Sequence, residues 1–210
     1  PLVFVPVYIG YEKLMEGKSY IAELHGLPKQ SESLIGLLGA VRLLQRNFGK
    51  VHVNFGAQLA LAEFLDGQHP AWREETFDAQ APWLRSAVDA TALKLARSIN
   101  AVAVVNPVNL VALTLLSTPK QAADLRLLQK QIEHVQFLLD EAPWADSVIR
   151  CELPAAEVIA YARKLDMVQC QEHPLGDIIR ADEQQAALLA YFRNNVLHLL
   201  ALPALLACLV

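Results

Sequence analysis

A run of β-branched and apolar residues opens the chain, Leu2 to Tyr8 (LVFVPVY), and a helical period and a second short run of the same kind follow it. The first run has the pattern of a strand buried on both faces. Pro6 inside it has no backbone N–H to give a ladder, so it belongs at a sheet edge, a bulge or a strand end. The strand is therefore an edge strand, or it stops near Pro6 where a site opens. In Ser31 to Phe48, Leu34, Leu37, Leu38, Val41 and Leu44 recur on one helical face. Ser31 suits the cap of that helix and Gly49 the position just past its end. Val51 to Phe55 (VHVNF) then reads as a strand. Strand, helix and strand in that order predict a parallel pair with a crossover, hence an α/β fold. The Leu27-Pro28 step is expected to turn the chain within residues 11–30.

Residues 59–66 predict a short helix ended by Gly67 and Pro70. The stretch Gln68 to Pro82 holds two prolines, Pro70 and Pro82, and marks a boundary between residues 1–67 and residues 83–210. Beyond it the periods are helical. Val88 to Leu116 is broken at Asn106-Pro107, where one helix stops and another begins. Pro119 suits the first position of the next helix, with Thr118 as its cap. In that helix Leu125, Leu128, Ile132, Val135 and Leu139 step by 3, 4, 3 and 4, the spacing of a seam that packs into a core. Pro154 opens another helix, with Val158, Ile159, Ala162 and Leu165 on its buried face. Val168 to Ile179 reads as a small hairpin (near 168–180) turning at Pro174-Leu175-Gly176-Asp177. The last helix begins near Asp182. From Val196 to Val210 no side chain carries a formal charge, yet the stretch is shorter than the roughly 20 residues a spanning helix needs and contains Pro203.

The hydrophobic share is 54%, above the typical 45–50% or so, and charged residues make up 19% against about 25%. Some apolar surface is thus left to face something other than water. The net charge of −4 provides no concentrated basic face, which argues against binding nucleic acid. Cys151, Cys170 and Cys208 are too widely spaced for a metal or redox pair and read as reduced, buried thiols. The six histidines, His25, His52, His69, His134, His173 and His198, form no metal-type pairing. His173 stands four residues before Asp177, either a base with its orienting carboxylate or a solvated turn. Asn54-Phe55-Gly56 lies at a strand end, where open α/β sheets place ligands. Local motifs therefore supply no catalytic set. A first residue that is Pro1, already strand-like, and an apolar ending at Leu209-Val210 lead us to expect an excised segment.

The opening PLVFVPVYIGYEKLMEGKSYIAEL resembles the fourth conserved block of the glycerophospholipid acyltransferases, and most closely that of the long bacterial membrane-associated glycerol-3-phosphate acyltransferases. There the block is a strand carrying a proline, followed by Tyr-Ile-Gly-Tyr-Glu, here Pro6 and Tyr8 to Glu12. VNFG (Val53 to Gly56), NPVNLVALTLLSTP (Asn106 to Pro119), LGDII (Leu175 to Ile179) and YFRNNVLHLLALP (Tyr191 to Pro203) resemble later segments of that family, in its order. The resemblance implies that residues 1–67 are the C-terminal strands and helix of an acyltransferase α/β domain, 68–82 a linker, and 83–210 a mainly helical domain. It also implies transfer of an acyl group from acyl-CoA or acyl carrier protein, as co-substrate and with no resident cofactor, to the 1-hydroxyl of glycerol 3-phosphate. The family's base is a histidine in an H-x4-D motif, with the aspartate orienting it as in a protease dyad and the substrate hydroxyl as the nucleophile. No histidine here has an aspartate five positions later, so the resemblance implies that this chain alone is inactive. Pro6, Tyr8 and Glu12 carry over as part of the substrate pocket. The implied setting is the cytoplasmic face of a bacterial inner membrane, with a lipid surface as partner. A reading of another class is a helical interaction module that uses the Leu125 to Leu139 seam.

Overall fold

Pro6 divides the opening run into two strands. The computed structural model describes residues 1–15, 17, 26, 47–76, 78 and 80–209. Strand β1 (Val3–Phe4) ends before the proline and β2 (Val7–Tyr11) begins after it. β3 (Val51–Phe55) pairs with β2, and β4 (Leu59–Ala60) pairs with β1; both pairings are antiparallel. Pro6 is buried in the gap between them, where its carbonyl accepts the Gly56 N–H at 2.8 Å. Of the two expectations for this proline, the strand end holds. The parallel pair does not: Val7 faces Phe55 and Tyr11 faces Val51, the register of an antiparallel ribbon. Nor is the run buried on both faces, since exposure alternates along β2, with Ile9 and Tyr11 outward and Tyr8 and Gly10 inward. The alternation is invisible in the sequence because the outward residues are apolar too. The helix expected from Ser31, as far as Arg46, and the turn at Leu27-Pro28 lie outside the described residues.

The helices begin with α1 (Leu61–Gln68), which runs through Gly67 and stops before Pro70. After a 3-10 turn at Pro70–Arg73 comes α2 (Pro82–Asn100). The break at Asn106-Pro107 is where α3 (Pro107–Leu115) starts, with Pro107 in its first turn and a capping box between Asn106 and Asn109. Only Leu113 of α3 escapes full burial. An uncharged stretch can take such a place because its polar groups find partners: Asn109 donates to the Phe192 carbonyl at 2.8 Å and Thr114 to the Leu110 carbonyl at 2.8 Å.

Three helices surround α3. They are α4 (Leu125–Glu141), α5 (Ala155–Lys164) and α6 (Glu183–Val196). Pro119 does not open α4, as its position had suggested. It opens a 3-10 turn, Pro119–Gln121, which leads into strand β5 (Ala122–Asp124). The cap of α4 is Asp124, whose Oδ1 accepts the Arg126 and Leu127 N–H groups at 2.9 and 3.1 Å. The seam packs inward as expected: Leu128, Ile132 and Leu139 are buried, and Leu125 and Val135 lie against the core. β6 (Gln169–Gln171) and β7 (Ile178–Arg180) form the expected hairpin, and β5 joins it in the order β5-β7-β6. Gly176 supplies the positive φ of 130° that the turn requires. After α6 come a 3-10 turn, Leu197–Leu200, and α7 (Ala201–Ala207), with Pro203 in the first turn of α7. Among the described residues no helix is long and apolar enough to cross a membrane. The described architecture is mixed helix and sheet, and Tyr8 of β2 belongs to the same buried cluster as α3 to α6.

Candidate functional site

Glu12 follows directly on β2, and the ribbon's antiparallel register sets it beside Lys50 and His52. Its backbone N–H donates to the Lys50 carbonyl at 3.3 Å, and its side-chain Oε2 accepts the Lys50 N–H at 2.6 Å. His52 Nε2 lies 3.1 Å from Oε1. From α5, the Tyr161 hydroxyl donates to Oε2 at 2.5 Å. The residue is 1% exposed. A carboxyl taken that far from water is costly unless its oxygens are occupied, and here three partners occupy them. Burial first, and then the Glu12 hydrogen bond and charge, push the Tyr161 phenol well above its ordinary value, so it keeps the proton it donates. Gly49 makes the close approach possible. Its φ is 70°, and a Cβ there would stand 2.9 Å from the Glu12 Cβ.

The cluster forms one wall of a cleft of about 430 Å³, lined also by Asn106, Arg150 and Cys151. Asn106 donates from Nδ2 to the Tyr11 carbonyl at 3.3 Å, tying the start of α3 to the end of β2. The extended segment Ile149–Leu153 separates this cleft from a second one of about 650 Å³ that reaches Leu110, Gln136 and Asp140. Val105 donates to the Ile149 carbonyl at 2.8 Å, and Gln136 Nε2 holds the Cys151 and Leu153 carbonyls at 3.0 and 2.9 Å. Burial raises the Cys151 thiol above its usual pKa, which suits a packed thiol and not a nucleophile. Lys50 and Arg150 bring cationic groups, and His52 an imidazole, to a cleft that also holds Glu12 and Glu152. Such a wall can receive and orient a polar group.

The three residues expected in a substrate pocket are not brought together. Glu12 alone lines the cleft. Tyr8 is in the core, donating to the Val104 carbonyl at 3.4 Å, its phenol pushed up by burial. Pro6 packs against Gly56 at the strand break. Asn54 donates to the Val102 and Ser147 carbonyls at 3.1 and 3.4 Å and so ties the ribbon to the loops that precede α3 and α5. His173 accepts the Leu175 N–H on Nδ1 at 3.2 Å, within an exposed turn. His52 and Tyr161 escaped the sequence reading. His52 has no motif partner in sequence; its partner appears only once Gly10 is known to face it across the ribbon. Tyr161 shares its helix with Val158, Ile159 and Ala162, and the apolar period hides its role.

A family model described as the C-terminal region of glycerol-3-phosphate acyltransferase matches residues 20–210. A relative from Ectopseudomonas mendocina named glycerol-3-phosphate acyltransferase is 44% identical over 99% of this chain and 25% of its own length. One of the same name from Xanthomonas campestris pv. campestris is 46% identical over 99% of this chain and 24% of its own length. A third, from Pseudomonas fluorescens, is 42% identical over 99% of this chain and 25% of its own length. The chain thus spans about a quarter of the length of the curated relatives it matches. Matched by the model over almost all of its residues, the chain belongs to the family of glycerol-3-phosphate acyltransferase C-terminal regions.

Proposed function

We propose that the chain is the C-terminal part of a glycerol-3-phosphate 1-O-acyltransferase, which moves an acyl group from acyl-CoA or acyl carrier protein to glycerol 3-phosphate, the first step of phospholipid synthesis. The observation that carries this reading is the identity of 41–46% along nearly the whole chain to relatives that bear the activity's name. The cleft at Glu12 fits a binding and positioning wall, while the base and the phosphate-binding arginines belong to the rest of the longer protein. The exposed leucines of α7, Leu202, Leu205 and Leu206, favour contact with a lipid surface at the cytoplasmic face of an inner membrane. The alternative, an interaction module working through the Leu125 to Leu139 seam, loses its surface: that seam packs against α3 and α5.

Assaying the isolated 210 residues with glycerol 3-phosphate and acyl-CoA tests the division of labour. No enzyme-dependent acylation is expected. Measurable transfer by this chain alone would place the acid–base machinery within it and overturn the reading.

A further inference from the structure

The β2–β3 ribbon is patterned the wrong way round for a sheet that turns one face to water. Three cross-strand pairs point outward: Val7 with Phe55, Ile9 with Val53, and Tyr11 with Val51. All are apolar or aromatic. Two pairs point inward, Tyr8 with Asn54 and Gly10 with His52, and these carry the ribbon's side-chain polar atoms apart from the Tyr11 hydroxyl. Antiparallel sheets with one solvated face show the opposite arrangement, hydrophobic in and polar out. The described residues leave most of the outward side chains uncovered, with Ile9 and Val53 each 52% exposed and Phe55 65%, while Val7 is half-buried. Val3 and Val5 extend the same apolar surface past the Pro6 break.

Nor is the ribbon protected as exposed strands usually are. Residues 1–11 and 51–55 include no lysine, arginine, aspartate or glutamate, the residues that guard an open edge against pairing. A contiguous apolar face of this kind marks a surface that meets another surface.

The occupant follows from the extent of the family match. The family model begins at residue 20, so β3 lies inside the C-terminal region while β1 and β2 lie ahead of it. The ribbon is therefore a joint between that region and the polypeptide on its other side. The relatives carry about three quarters of their length outside the match. We infer that the outer face of the β2–β3 ribbon is the seat of an apolar layer from the acyltransferase part of the same longer polypeptide. This rests on the function proposed above. The ribbon then lies between two bodies, with its inner face held to α5 through Glu12 and to the carbonyls of Val102, Val104 and Ser147 through Asn54 and Tyr8, and its apolar face against the remainder of the enzyme.

A solvent-accessibility experiment tests this without relying on activity. The variant V53C is made in the isolated chain and in a chimaera in which this chain replaces the matched quarter of the Ectopseudomonas mendocina relative. Maleimide labelling at position 53 is read by peptide mass spectrometry, each rate being referred to the same protein unfolded in urea. Fast labelling is expected in the isolated chain, and labelling slowed by at least about tenfold in the chimaera, as for a site reached only by local opening. F55C, at a second outward position, is expected to behave alike. Equal rates in the two proteins would overturn the inference. So would slow labelling already in the isolated chain, whether another segment covers the face or, if the rate depends on concentration, a second copy does. Protection by phosphatidylethanolamine–phosphatidylglycerol vesicles, with fast labelling in the chimaera, would make the occupant lipid and also overturn it. Acyl transfer by the same chimaera is measured separately: protection without transfer sustains the interface and counts against the proposed function.

Discussion

Glu12 receives donors from the residue before β3, from β3 itself and from α5, so one side chain locks the ribbon to the helices. Gly49 is the residue on which that lock depends. At φ 70° an alanine would lie in the left-handed region, and its Cβ would press on Glu12. G49A is expected to destabilise the isolated chain by about 1–2 kcal/mol from backbone strain alone, read as a shift in the urea midpoint. An unchanged midpoint would mean that the Glu12 packing is loose. His198 makes a second prediction at this scale. Its Nε2 lies 3.2 Å from the Asn100 carbonyl, Trp144 meets its ring edge-on at 5.5 Å, and burial holds its pKa below the ordinary 6.5. Between that depressed value and about 6.5 the unfolded chain binds more protons than the folded one, so stability rises with pH across this window. The thermal midpoint should fall between pH 7.5 and pH 5.5, and H198Q should fall less steeply. Parallel slopes for the two proteins would remove His198 as the source.

Helical elements were the most legible in the sequence, because their period repeats within a few residues. Asn106-Pro107 marked the start of α3, the 3, 4, 3, 4 spacing marked the buried stripe of α4, and Asp182 marked the cap of α6. The β pairings were not legible in the same way. Residues 12–50 separate β2 from β3, and nothing local distinguishes a crossover to a parallel neighbour from a return to an antiparallel one. β5 was missed because a three-residue strand carries too little pattern, and its Asp124 took over the capping role expected of Thr118. The Glu12 cluster was half legible, through Glu12 alone, since its partners depend on that unread register. For α7, the exposed leucines make a definite prediction. Replacing Leu202, Leu205 and Leu206 with serine should cut vesicle association in a flotation assay by at least about tenfold, since each buried leucine is worth roughly 1.5–3 kcal/mol. Their exposure means that the fold should be unaffected. Unchanged flotation would dispose of α7 as the lipid-contacting element.

Among the described residues, three places hold much of the surplus of apolar residues that set this chain apart in composition. The first is the core around α3, which holds the uncharged stretch Pro107–Leu115. The second is the outward face of the β2–β3 ribbon, and the third is α7. Among the described residues only the first is covered by the chain's own side chains; the other two are the surfaces proposed above to meet another body and a lipid surface. The measurement closest to this account is acylation of glycerol 3-phosphate from acyl-CoA by the chimaera that ends in this chain, beside the Ectopseudomonas mendocina relative lacking its matched quarter. The chimaera should transfer acyl groups and the shortened relative should not. A folded, monodisperse chimaera without transfer would contradict the account.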